Sequence, residues 1–167
     1  MDFSLSHSFD ATPDELAAVL LDEDFQHSLD DVGALEKRHL LSQEERSDGT
    51  VERRTRCVLD IKISDVAKRF IGDGEPAWVE HAVWYPDRRR WEWEIEPEVA
   101  DHILSAHGTV TIGGSEGRAE REVAGTVKIS GIPIYGGRVE QWIVDGIESA
   151  YDEEADQIAE WLERENP

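Results

Sequence analysis

Residues 138–165 read RVEQWIVDGIESAYDEEADQIAEWLERE, a stretch whose only helix-weakening residue is Gly146. Its apolar members, Val139, Trp142, Ile143, Ile147, Ala150, Ile158, Trp161 and Leu162, recur at three- and four-residue spacing. That period places them on one stripe of an α-helix, with acidic residues over much of the opposite face. About 28 residues at 1.5 Å each make a rod of roughly 42 Å. A rod of that length with one apolar stripe needs a broad apolar surface beneath it, and the preceding residues predict a sheet.

Upstream the period changes from helical to two. Phe3, Leu5, His7 and Phe9 alternate with Ser4, Ser6 and Ser8, which predicts a half-buried first strand. Thr12-Pro13-Asp14-Glu15 then has the form of a capped helix start: a hydroxyl at the N-cap, proline at the first helical position and glutamate three residues after the cap. A second helical piece is expected over about residues 22–31, ended by Gly33. Residues 36–47 and 50–62 read as extended arms around a two-residue turn at Asp48-Gly49, with Val51, Thr55, Cys57, Leu59 and Ile61 on one face. Residues 64–71 fit a short helix or a wrapped loop. Turn clusters at Pro86-Asp87-Arg88, Pro97-Glu98 and 113–117 separate strands expected near 77–85, 91–96, 103–112 and 118–129. Trp91, Trp93 and Ile95 alternate with Glu92, Glu94 and Glu96. In 77–85 both faces carry aromatics, so the inward face stays open. The expectation is an α+β fold: a curved seven-stranded antiparallel meander against one long C-terminal helix, two short helices after the first strand, and a single domain over residues 1–167.

Composition narrows the function classes. The chain carries 38 acidic against 17 basic residues, a formal net charge of −21. That surface repels phosphate backbones and anionic lipid, so no nucleic-acid partner is expected; a basic protein is the kind of macromolecule it would attract. No apolar run reaches the roughly 18 residues of a membrane span. A single cysteine, Cys57, allows no internal disulfide, and with no secretory signal in the first residues the chain reads as cytoplasmic.

The order strand, two helices, six strands, long helix resembles the START-like or SRPBCC superfamily, the helix-grip fold. The residues carrying the resemblance are Phe3 to Phe9, the capped Thr12-Pro13-Asp14-Glu15-Leu16 start, Asp22 to Phe25 at the helix junction, and Gly131-Ile132-Pro133-Ile134-Tyr135-Gly136-Gly137-Arg138-Val139-Glu140 leading into the last helix. This close resembles an uncharacterised bacterial branch of that superfamily. The resemblance covers nearly the whole chain, and it is one of element order, which bears on fold more than on function. It implies a cavity between sheet and long helix, used by relatives for lipids, sterols and polyketides.

The leading expectation is therefore a binding, carrier or sensor protein for an apolar, lipid-like or polyketide-like small molecule, without a cofactor. Leu5, His7, Cys57 and Leu59 are the expected lining from the early strands. Trp91, Trp93, Val110, Val123 and Val127 follow from the later ones, and Trp142, Ile143 and Ile147 from the helix. The alternatives are a cyclase- or hydrolase-type enzyme with His7 or His81 as cavity acid or base, and an acidic interaction module. The six histidines have no paired metal-ligand spacing, so no metal is expected. Cys57 lies on the apolar face of its strand and reads as an inert buried thiol. Gly113-Gly114-Ser115-Glu116-Gly117 has the outline of a nucleophile elbow but the setting of a hairpin turn. Arg53, Arg54 and Arg56 are expected to pair across strands with acidic neighbours.

Overall fold

The structure, a computed structural model, describes residues 1–30, 38–58, 65, 68–69, 72, 74–99 and 101–166. The expected stop at Gly33, the arms over 36–37 and 59–62, and most of the segment 64–71 lie outside the described residues.

Strand β1 (Asp2–Phe9) is followed by helices α1 (Pro13–Leu21) and α2 (Glu23–Ser28), strands β2 (His39–Glu45), β3 (Val51–Val58), β4 (Ala77–Tyr85), β5 (Arg90–Pro97), β6 (Leu104–Ser115) and β7 (Arg118–Ile129), and helix α3 (Gly136–Glu165). The sheet order is β1-β7-β6-β5-β4-β3-β2, antiparallel throughout. Strands β1 and β2 therefore sit at opposite edges, and the helical segment after β1 carries the chain across. This is the α+β helix-grip architecture, a curved sheet closed over by one long helix.

Local chemistry sets the boundaries. The Thr12 hydroxyl accepts from the Glu15 amide at 3.2 Å while the Thr12 amide donates to the Glu15 carboxylate at 2.7 Å, the reciprocal box expected. Asp22 caps α2 by accepting from the Phe25 amide at 3.0 Å. The buried Phe25 ring then meets Trp161 edge-on, with centroids 5.4 Å apart, and joins α2 to the end of α3. Two turns differ in kind. Asp48-Gly49 is part of a three-residue loop: the Arg46 amide still pairs with the Thr50 carbonyl, and Gly49 takes the left-handed conformation. Asp48 holds that loop by accepting from the Thr50 amide and hydroxyl. The 113–117 cluster is a hairpin, with Ser115 opposite Arg118 across Glu116-Gly117.

The inward face of each strand follows its period. Trp78, Glu80, Ala82 and Trp84 point inward from β4, which settles the face left open by the sequence; Trp91, Trp93 and Ile95 do so from β5. One pair of glycines lets the large indole lie flat. Gly108 of β6 faces Gly125 of β7, and Trp93 is the β5 partner of Gly108. A β-carbon on Gly108 would come within 2.5 Å of the Trp93 ring, and one on Gly125 within 2.7 Å of Phe3 and 2.9 Å of Trp93. The other unusual backbone position is Ile134, left-handed at φ 71° and 94 % exposed in the turn before α3. A β-branched residue in that region is strained.

A pocket between the sheet and the long helix

Strands β3 to β6 and the middle of α3 line a half-open cavity of about 110 Å³, bounded toward the small helices by Leu20 and Leu29. Trp78, Trp91, Trp93, Ile95, Val110 and Ile147 make most of its apolar wall. Trp91 is braced by Trp84, with ring centroids 5.6 Å apart, and Trp93 by Phe3 at 6.4 Å and the glycine pair beneath it.

Much of the rest of the lining is polar: Arg38 is paired with Gln26 and Asp30, and Glu154 with Arg121, while Arg53, Thr55, Glu80 and Tyr151 are under-partnered among the described residues. Arg53 shares the inward face of β3 with Val51, Thr55 and Cys57, so it does not pair across the outer face as expected from its neighbours Arg54 and Arg56. It is 8 % exposed, its guanidinium lies 4.1 Å above the Trp91 ring, and Nη1 donates to the Leu20 carbonyl at 2.8 Å. Its Nε is buried without a partner, and Nη2 makes no hydrogen bond among the described residues. Burial, with Arg38 nearby, pushes its pKa down to about 10. Glu80 lines the same wall from β4 and has no hydrogen-bond or ion-pair partner among the described residues. Burial raises its pKa, with Arg53 opposing the shift. From α3 comes Tyr151, whose hydroxyl is likewise without a partner among the described residues and whose pKa is raised well above the usual phenol value by burial and by Glu80. The Thr55 hydroxyl and the indole nitrogens of Trp91 and Trp93 are buried and have no partner among the described residues.

Of the expected lining, Cys57, Trp91, Trp93, Val110 and Ile147 lie on this cavity. Cys57 is buried, and the loss of solvent raises its thiol pKa to about 12, far from a nucleophile. Val123, Val127 and Ile143 are buried in the filled core, and Leu5 and Trp142 pack partly buried against it. Leu59 lies outside the described residues. The two histidines need correction. His81 points away from the cavity, because its strand turns Glu80 and Ala82 inward; its Nε2 lies 3.2 Å from Glu96 on the outer face. His7 points inward but is taken up by Arg121, which has no exposure at all. Arg121 donates to Glu154 at 2.6 Å, to the Tyr151 carbonyl at 2.8 Å and to His7 Nδ1 at 3.2 Å. A guanidinium has no lone pair, so that last bond requires an unprotonated Nδ1 and puts the ring proton on Nε2, which faces Asp152 at 2.8 Å. Both ring nitrogens are committed to a clasp joining β1, β7 and α3. Neither histidine is placed as a cavity acid or base. Sequence parity could have found Arg53, which stands two residues from Val51 and from Thr55; Glu80 and Tyr151 gave no comparable signal.

Among the described residues no group of three or more His, Cys, Asp or Glu is placed to hold a metal ion, and no helix is long and apolar enough to cross a membrane.

A seven-stranded sheet gripping a long helix is the START-like fold, and solved structures share it. An aromatase/cyclase, Zhui, from a Streptomyces species superposes with a TM-score of 0.68 at 13 % identity, covering 98 % of this chain and 94 % of its own. Norcoclaurine synthase from Thalictrum flavum, in complex with dopamine and hydroxybenzaldehyde, has a TM-score of 0.67 at 15 % identity, with 100 % and 88 % covered. A START superfamily protein from Mycobacterium smegmatis has a TM-score of 0.59 at 12 % identity, with 98 % and 97 % covered. At these identities the likeness is one of fold. No curated protein matches the chain in sequence. The chain belongs to the family described as protein of unknown function DUF2505, whose model matches residues 4–162.

Proposed function

We propose that this is a cytoplasmic binding protein that holds a small aromatic molecule between the sheet and the middle of α3. The observation that carries the reading is the pocket itself: three indoles and five branched aliphatic side chains around a half-open space, with the Arg53 guanidinium, the Glu80 carboxyl and the Tyr151 phenol among its polar groups. Pockets of this make-up, apolar walls with a few placed polar groups, are the usual form of small-molecule sites. Size restricts the guest. An apolar cavity of about 150 Å³ engineered into another protein takes up benzene, so about 110 Å³ suits one ring with small substituents. A long acyl chain or a fused polycycle would have to project beyond it. Among the lipid-like or polyketide-like guests expected from the sequence, the size of the pocket supports a single-ring compound. That two of the structural neighbours are an aromatase/cyclase and a synthase in complex with dopamine and hydroxybenzaldehyde supports an aromatic guest.

Trp78, Trp91 and Trp93 make the test direct. Titration with one-ring aromatics should quench or shift tryptophan fluorescence saturably, and native mass spectrometry should show a one-to-one complex. If no such compound changes the fluorescence or the mass at millimolar concentration, the binding reading is wrong.

A further inference from the structure

The polar groups of the cavity carry information about the guest beyond its size, resting on the binding reading above. Arg53 and Glu80 project from adjacent strands on the same face. Thr55 is the register partner of Glu80 and Ala82 that of Arg53, so the two charged residues are diagonal neighbours. Diagonal pairs of this kind stand about 7–8 Å apart at the backbone, within reach of long side chains. Yet no ion pair forms between them among the described residues, although each has spare capacity: Nη2 on Arg53 and both oxygens on Glu80. The Tyr151 hydroxyl stands across from them on α3. Two opposite charges that could meet but do not leave a slot between a donor and an acceptor.

We propose that the slot reads a hydroxyl-bearing aromatic carbonyl compound, whose carbonyl oxygen accepts from the Arg53 guanidinium and whose hydroxyl donates to the Glu80 carboxyl. The ring fills the space between Trp91, Trp93 and Ile147. Tyr151 is the second donor to the carbonyl. A purely apolar guest would seal Arg53 and Glu80 from solvent with nothing in exchange, which is unfavourable for both groups. A simple carboxylate would satisfy Arg53 and bring no hydroxyl to Glu80. Only a guest that both accepts and donates serves both residues. The raised pKa of Glu80 and the lowered pKa of Arg53 agree with two charged groups short of partners.

The experiment compares ligands of nearly the same size and shape on the wild-type protein: ethylbenzene with neither group, acetophenone with the acceptor, 4-ethylphenol with the hydroxyl, and the 2-, 3- and 4-hydroxyacetophenones with both. Hydrogen bonds to charged partners predict about a tenfold or greater gain for each group added. The best hydroxyacetophenone should thus bind at least a hundredfold tighter than ethylbenzene, by about tenfold for each of its two groups. In Arg53→Met the advantage of acetophenone over ethylbenzene should vanish, and in Glu80→Leu that of 4-ethylphenol, while ethylbenzene binding holds or improves. Equal affinities across the wild-type series would overturn this proposal and leave the aromatic cavity standing, with the polar groups serving only bound water. No binding of any member would overturn both readings. The wild-type series decides the matter even if a variant fails to fold.

Discussion

Gly108→Ala tests whether the glycine pair beneath Trp93 shapes the pocket wall. The added β-carbon would drive into the Ala124 carbonyl oxygen, reach within 2.5 Å of the Trp93 ring and lie 2.8 Å from the Gly125 α-carbon. Two of those three neighbours are backbone of the adjacent strand and cannot rotate away. Overpacking a core costs about 1–3 kcal/mol, and backbone neighbours place this change at the upper end, about 3 kcal/mol. In a domain of this size each kcal/mol lowers Tm by roughly 2–4 °C, so the expected fall is about 6–12 °C. The indole should tilt toward the cavity, altering near-ultraviolet circular dichroism and weakening any ring-sized ligand. Gly113→Ala on the same strand is the control: a β-carbon there meets nothing within 4 Å, and its effect should stay within about 0.5 kcal/mol. If Gly108→Ala melted within 2 °C of the wild type with unchanged near-ultraviolet dichroism, Trp93 would not lean on this glycine and the account of the wall would be wrong.

Three further outcomes follow from single residues. Glu80 has its carboxyl pKa raised by folding, so its contribution to stability is complete below the ordinary glutamate pKa and is lost as pH rises through the folded value. Glu80→Gln should therefore gain on the wild type from about pH 4.5 upward and then level off, the height of the plateau converting at about 1.36 kcal/mol per tenfold change in proton affinity; denaturant titrations across pH check it, and a flat difference would refute it. Arg121→Met removes a fully buried cation and strands the Glu154 carboxylate and His7, which should cost about 3–5 kcal/mol by urea unfolding. Ile134→Asn relieves a left-handed β-branched residue at an exposed turn and should raise stability by about 1 kcal/mol, seen as a Tm about 3 °C higher.

Fold was legible in this sequence because its signals are local. The Thr12-to-Glu15 box, the 91–96 alternation and the helical stripe of 138–165 each depend on residues within a turn or two of one another. The site was less legible, because parity reports which face of a strand a residue is on and not where along the sheet that face is covered. His7, Val123 and Val127 all point inward, yet they lie where the sheet is filled by packed side chains and by Arg121; the opening is over β3 to β6, beneath residues 147–157 of α3. Glu80 was hidden for a different reason. In 77–85 either face offers two aromatics, and only the contact of Trp84 with Trp91 on the neighbouring strand decides which is inside. Arg53 was readable: its spacing from Val51 and Thr55 placed it inward, but its two arginine neighbours suggested an outer charged face.

The contrast between the two buried arginines bears most directly on function. Arg121 faces a carboxylate, a carbonyl and an imidazole nitrogen, so both of its terminal nitrogens are used in the clasp between sheet and helix, and only its Nε is buried without a partner among the described residues. Arg53 is nearly as buried and, among the described residues, has one carbonyl and the face of Trp91. A cation–π contact of this kind offsets about 2 kcal/mol when desolvated, while taking a charge out of water costs several. A leucine or methionine at the same position would fill the space at lower cost in stability. A guanidinium with N–H groups to spare beside a carboxyl without a partner among the described residues, at the wall of the cavity, is a pair that a polar guest would satisfy. That deficit is the physical reason to look for a ligand with oxygen atoms rather than for a hydrocarbon.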